Sequence, residues 1–183
     1  VRPGAYFNIQ KQGTNAQADV VNGVTAVVFK SDFGPLNTAV ELSAEDGFAS
    51  TFGNGGTTDA IQEAINGGAK TIIACRVGNG GTAGTVTLND NEGEAAVTIT
   101  AAYPGKKEFT VTVREKLTDS TVKECIIYAG KTEFEKAEFP AGSGEAAALV
   151  EAFSNSKKFK AELKAGKDSA EIKAVSQSAF TAG

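Results

Sequence analysis

The run Thr71-Ile72-Ile73-Ala74-Cys75-Arg76-Val77 is nearly continuously apolar and follows a helix-spaced segment, and that order constrains the fold more than any other feature of the chain. Such a run reads as a strand covered on both faces. A helix leading straight into it predicts a partly parallel sheet. Upstream, Val24–Phe29 reads as a first strand and Thr38–Leu42 as a second, separated by the break Asp32-Phe33-Gly34-Pro35. Ser43, with Asp46 three residues later, fits the start of a short helix ending near Phe52-Gly53. A second helix opens at Thr57-Thr58-Asp59, places Ile61, Ala64 and Ile65 at helical spacing, and closes at Gly67-Gly68.

From about Val86 the pattern changes to short strands, several alternating apolar with polar: Val97–Ala101, Phe109–Val113, Val122–Tyr128 and Thr132–Glu138. Turns fall at Pro104-Gly105, Asp119-Ser120 and Gly130. A helix is expected from about Ser143 to Phe153 with Leu149, Val150 and Phe153 on one face, followed by strands at Phe159–Leu163 and Glu171–Val175. Gly78 to Gly84 has the composition of a flexible linker. The expected class is α+β: an α/β core unit followed by a small β-rich domain of hairpins with one helix. The boundaries are 1–18 for an extended N-terminal arm, 19–85 for the α/β core unit and 86–183 for the small α+β domain.

Composition narrows the function. The 183 residues suffice to bury a core, and the net charge of −4 gives nucleic-acid binding no electrostatic support. No apolar run approaches the ~18 residues that a membrane helix needs, and no signal peptide opens the chain. The absence of histidine removes the usual general base, the commonest metal ligand and the Ser-His-Asp triad. Cys75 and Cys125 sit inside β-branched runs and read as reduced core residues of a cytoplasmic protein. With no methionine, even at position 1, the chain is expected to be a processed, truncated or partial product.

Motifs that sometimes carry chemistry do so poorly here. Gly53-Asn54-Gly55-Gly56-Thr57-Thr58 precedes a helix, yet lacks the lysine of a phosphate-binding loop and the strand of a dinucleotide site, so it reads as a turn with a helix cap. Gly78-Asn79-Gly80-Gly81 has no helix after it. Asn89-Asp90-Asn91-Glu92-Gly93 gathers oxygen ligands without the full spacing of a calcium loop and reads as a polar hairpin turn. Glu133 and Glu135 would share one solvated strand face, and with Glu138 they make no assignable acid-base pair. Lys157, Lys158, Lys160 and Lys164 around Phe159 fit a half-exposed strand whose edge lysines protect. Pro3 and Gly4 resist helix, while Tyr6, Phe7 and Ile9 carry enough apolar surface to add as a strand to another sheet; a frayed terminus is the alternative.

Four stretches in order carry a resemblance: Arg2-Pro3-Gly4-Ala5-Tyr6; Gly23 to Phe29 followed by Phe33-Gly34-Pro35; a helix at Thr58–Asn66 with Gly68-Ala69 and a strand ending at Arg76-Val77; and Thr98 to Ala101 with Tyr103-Pro104-Gly105 and Phe109 to Val113. Together they resemble the N-terminal portion of the contractile phage tail sheath family, also found in prophage-derived tail-like particles. Lys106-Lys107-Glu108 departs from the Gly-Asn pair that the family often has there, and the family's C-terminal domain is not seen, which leaves the core unit incomplete. The resemblance implies a structural subunit, not an enzyme, that polymerises around the inner tail tube and contracts to drive it through the host envelope. It implies other sheath subunits, the tube protein, and baseplate and terminator proteins as partners, with no cofactor, metal, nucleic acid or membrane. It also implies a virion tail location after assembly in the bacterial host cytoplasm. The subunit-interaction arm it implies comprises Arg2, Pro3, Gly4, Ala5, Tyr6, Phe7, Asn8 and Ile9, with Tyr6 and Phe7 as anchors. Two other classes stay open at this point: a surface or binding module of adhesin or surface-layer type, suggested by the Gly/Thr-rich hairpins, and an α/β enzyme with a Gly-rich loop before a helix.

Overall fold

The computed structural model describes residues 23–43, 48–53 and 59–181, a mixed α+β structure that is mostly β-sheet. β1 (Val24–Phe29), β2 (Ala39–Ser43) and β3 (Thr71–Arg76) form a three-stranded sheet with β3 in the middle. β1 runs parallel to β3, with Val24 beside Thr71 and Phe29 beside Arg76, whereas β2 pairs antiparallel on the other side. The helices α1 (Ala49–Phe52) and α2 (Asp59–Asn66) lie between β2 and β3 in the chain. Ile61 of α2 packs with Phe29, Leu42, Phe52, Ile72 and Ala74 into the smaller of two cores. The expected glycine stop of α2 is present: Gly68 has φ +92° and Ala69 N–H donates to the Ala64 carbonyl at 3.0 Å. One expectation fails. β3 alternates, with Ile72, Ala74 and Arg76 buried and Ile73 and Cys75 half-buried, so among the described residues only one of its faces is fully covered. The apolar run came from pairing Ile73 and Cys75 with a less covered face, which composition cannot distinguish from double burial.

The larger core lies between two antiparallel sheets. β4 (Thr85–Asn89), β5 (Ala95–Ala101) and β9 (Phe159–Leu163) make one, in the order β4-β5-β9. β6 (Phe109–Lys116), β7 (Asp119–Ala129), β8 (Thr132–Pro140) and β10 (Val175–Ala179) make the other, in the order β10-β6-β7-β8. Period-two alternation sends Val86, Leu88, Val97, Ile99, Val111, Val113, Cys125 and Ile127 into a single core with Leu149 and Phe153 from the segment of α3 (Glu145–Ala152) and its C-cap. Burial pushes the Cys125 thiol up to about 12, so it is an unreactive core group. β9 is an edge strand that carries one lysine, Lys160, while Lys157, Lys158 and Lys164 flank it.

Glu171–Val175 is not a strand. Ile172 makes only an isolated bridge with Asp90, and β10 begins where the expected strand would end. The cause is a buried carboxylate. Glu145, 2% exposed in the first turn of α3, accepts from Ile172 N–H at 2.6 Å and from Gly142 N–H at 2.8 Å, and pairs with Lys123 Nζ at 2.7 Å. Ile172 therefore satisfies its donor on a side chain rather than on a neighbouring strand.

The outward face of the four-stranded sheet poses a different problem. Glu124 on β7 stands directly opposite Glu138 on β8, a like-charge pair that is unfavourable by itself. Lys136 lies within 2.8 Å of Glu124 and 3.0 Å of Glu138; Arg114 reaches Glu124 at 2.6 Å and Lys116 reaches Glu138 at 2.6 Å. The hydrogen bond from Lys136 holds the Glu124 carboxyl below the usual range, and that from Lys116 does the same for Glu138. Elsewhere Lys167 likewise lowers the buried Asp90, which it meets at 2.6 Å.

Two outcomes are expected. Glu145→Ala strands Lys123 and the Ile172 donor, and chemical denaturation should record a loss of about 3–5 kcal/mol. Acid titration followed by circular dichroism should find the contribution of Asp90, Glu124 and Glu138 intact above the ordinary carboxylate range near pH ~4. It should be lost as pH falls through their depressed native values, and Lys136→Met should move the acid transition to higher pH.

Candidate functional site

The loop between β1 and β2 joins the two cores. Phe33 leaves the smaller unit and is buried in the larger core, with ring centroids 5.4 Å from Tyr103, 5.4 Å from Phe109 and 5.3 Å from Phe134. Gly34 follows with φ +105°, pressed so closely on the smaller core that a Cβ would lie 2.5 Å from Phe52 Cδ1. Only glycine combines that φ with that approach. Ser31 Oγ donates to the Phe52 carbonyl at 2.7 Å, which holds the start of the loop against α1.

Arg76, the last residue of β3, closes the junction. Its Nε donates to the Ser31 carbonyl at 2.8 Å, and its Nη1 donates to the carbonyls of Gly34 at 2.7 Å and Pro104 at 2.8 Å. One guanidinium thus binds backbone from both sides of the junction. It is 6% exposed and, among the described residues, makes no ion pair. Loss of water lowers its pKa, and the charge of nearby Asp32 opposes that shift. Gly105 packs on the Asp32 backbone, where a Cβ would overlap the carbonyl oxygen.

Beside Arg76 opens a cleft of about 470 Å³, lined by Lys30, Asp32, Leu36, Lys106 and the glycine-rich loop 78–81. Its side chains carry three cations, Arg76 included, against the carboxylate of Asp32. A second surface is the less covered face of the smaller sheet, where Val24 is 47% and Val28 69% exposed, in register with Thr71 and Cys75.

The residues singled out from sequence are scattered. Arg2, Pro3, Gly4, Ala5, Tyr6, Phe7, Asn8 and Ile9 lie outside the described residues, as does the loop 54–58. Gly78 to Gly81 lines the cleft. Asn89 to Gly93 is the β4–β5 hairpin turn, and its Asp90 is committed to Lys167. Glu133 and Glu135 fall at a bulge opposite Ile127 and Tyr128, which breaks the alternation that put them on one face. Lys158 stands 4.6 Å over the Phe134 ring and pairs with Glu135 at 3.6 Å, while Lys157, Lys160 and Lys164 are exposed. Among the described residues, no three His, Cys, Asp or Glu side chains gather as a metal site would require. Sequence reading missed both Phe33 and Arg76 as a junction. A charge ending an apolar strand was the available signal for Arg76, since a buried arginine must find acceptors.

No protein-family model matches the chain, and no curated protein matches it. Among solved structures, the sheath tail protein of Desulfitobacterium hafniense shares the fold with a TM-score of 0.55 at 17% identity, over 96% of this chain and 39% of that one. The sheath tail protein of Listeria innocua does so with a TM-score of 0.56 at 19% identity, over 88% of this chain and 35% of that one. The chain therefore spans less than two-fifths of the length of either protein, and at these identities the likeness is one of fold.

The junction can be tested at Gly105. Gly105→Ala forces the Asp32 backbone away and should cost about 1–3 kcal/mol, the range for overpacking a close contact. Thermal denaturation measures the loss, and slower-protected amides at Ser31 to Phe33 should exchange faster in the variant.

Proposed function

We propose that the chain is part of a structural subunit of a contractile tail sheath, a sleeve that polymerises around an inner tube and contracts to drive it through a host envelope. The observation that carries this reading is the shared fold over 96% of the chain with a sheath tail protein. The junction is consistent with it: a subunit that transmits load benefits from cores tied by a buried ring and a three-carbonyl arginine clamp.

On this reading residues 1–18 are an extended arm, 19–85 an α/β core unit completed by other parts of the subunit, and 86–183 a small inserted α+β domain. Arg2 to Ile9 add as a strand to a neighbouring subunit's sheet, where main-chain hydrogen bonds tether subunits while their bodies move. Partners are other sheath subunits first, then the tube, baseplate and terminator proteins, in a virion tail or a prophage-derived particle. The role is mechanical rather than enzymatic.

Negative-stain electron microscopy of the complete gene product, alone and with its tube protein, tests the reading. Helical sleeves or stacked rings are the expected result. Uniform monomers under both conditions overturn it.

A further inference from the structure

The tripeptide Asn-Gly-Gly occurs at 54–56, at 66–68 and at 79–81, so the local sequence is the same each time and the fold decides what differs. The first occurrence lies outside the described residues. At the second, Asn66 ends α2 and its Oδ1 accepts from Gln62 Nε2 at 3.1 Å. Gly67 N–H donates to the Glu63 carbonyl at 2.8 Å, and Gly68 N–H to the Ile65 carbonyl at 2.9 Å. The end of the helix therefore holds both the side chain and the nitrogen that follows it.

The third occurrence lies in the link between β3 and β4, where Asn79 and Gly80 are both exposed. Among the described residues, neither the Asn79 side chain nor the Gly80 N–H has a hydrogen-bond partner. Gly80 has φ +64°, and a Cβ placed on it would meet nothing within 4 Å. The flanks are fixed. Gly78 N–H donates to Asn37 Oδ1 at 3.3 Å, and the Gly78 carbonyl accepts from Asn37 Nδ2 at 3.1 Å. On the other side a Cβ on Gly81 would lie 3.3 Å from Pro104. Asn79-Gly80 is thus an unheld pair between two anchored residues.

We propose that Asn79 is a site of spontaneous deamidation and isoaspartate formation in the folded protein. The Gly80 nitrogen gives up its proton to solvent base and attacks Cγ of Asn79. An N–Cγ bond forms, the Cγ–Nδ2 bond breaks, and ammonia leaves after taking a proton from solvent. Water then opens the cyclic imide. Cleavage at the N–Cγ bond gives aspartate, whereas cleavage between that nitrogen and the Asn79 main-chain carbonyl carbon gives isoaspartate. Glycine favours the attack because no Cβ shields its nitrogen and its backbone turns freely. Both products put a carboxylate where a neutral amide stood. Isoaspartate also routes the backbone through Cβ and Cγ, which adds a methylene to the link between the two cores. Gly67 can attack Asn66 only after the last turn of α2 opens, and that opening slows the reaction.

The test is storage of the 183-residue chain at physiological temperature and mildly alkaline pH, followed by peptide mass spectrometry and isoaspartyl-specific methylation. In the native protein Asn79 should convert at least about tenfold faster than Asn66, with isoaspartate among its products. In denaturant the two rates should converge, because the flanking glycines are identical. Asn79→Gln, whose longer side chain would have to close a larger ring, should stay amidated at 79 and unfold at the wild-type temperature. Native rates at Asn79 that do not exceed those at Asn66 would overturn the proposal. So would a difference that persists in denaturant, or aspartate formed at 79 without isoaspartate. The reaction needs no partner, so its failure leaves the sheath reading untouched, and a failure to form sleeves leaves the reaction untouched.

Discussion

Phe33 belongs by sequence to the loop of the smaller core and by packing to the larger one, and the arrangement of the molecule depends on that transfer. Full burial of such a side chain is worth about 1.5–3 kcal/mol, and edge-on aromatic partners add about 0.5–1.5 kcal/mol each in favourable cases. Tyr103, Phe109 and Phe134 supply three such partners around one ring. The chain must turn sharply to deliver the ring; Gly34 is where it does so, and Gly105 of the β5–β6 loop packs on the Asp32 backbone where a side chain would not fit. Arg76 then satisfies the carbonyls that the turn leaves pointing inward, replacing water with a single planar donor group.

The same economy of donors recurs around Glu145. A carboxylate in the first turn of α3 sits where the helix dipole favours it and takes backbone donors from two loops. The segment near Ile172 is thereby fixed without joining a sheet. Both devices are long-range, and neither depends on local propensity.

That distinction explains what was legible in the sequence. Strands with β-branched alternation were visible at their centres, Phe109–Val113 and Val122–Tyr128 within the observed Phe109–Lys116 and Asp119–Ala129, as was the glycine stop after Asn66, but the turn expected at Asp119-Ser120 falls at residues 117–118. β4 was not, because Thr85–Asn89 directly follows a glycine-rich stretch whose composition dominates its neighbourhood. The strand expected at Glu171–Val175 was displaced by a hydrogen bond to a side chain 27 positions away. Ile73 and Cys75 read as buried because they are apolar, while the structure leaves their face half-open. As for function, the order of the Phe-Gly-Pro break, the glycine-stopped helix and the Tyr-Pro-Gly turn pointed to sheath proteins, whereas the junction itself needed coordinates.

Thr85 and Thr181 lie side by side although they are 96 positions apart. Thr181 N–H donates to the Thr85 carbonyl at 2.8 Å, Thr85 N–H to Thr181 Oγ1 at 3.0 Å, and the two hydroxyls meet at 3.1 Å. The two ends of the stretch that runs from β4 through β10 thus meet at one stapled point. Tension drawn along the chain would cross this staple first and reach the sheets only after it parted. The larger core would hang beside the line of force rather than within it, a mechanical side branch that can keep its packing while the backbone on either side is pulled.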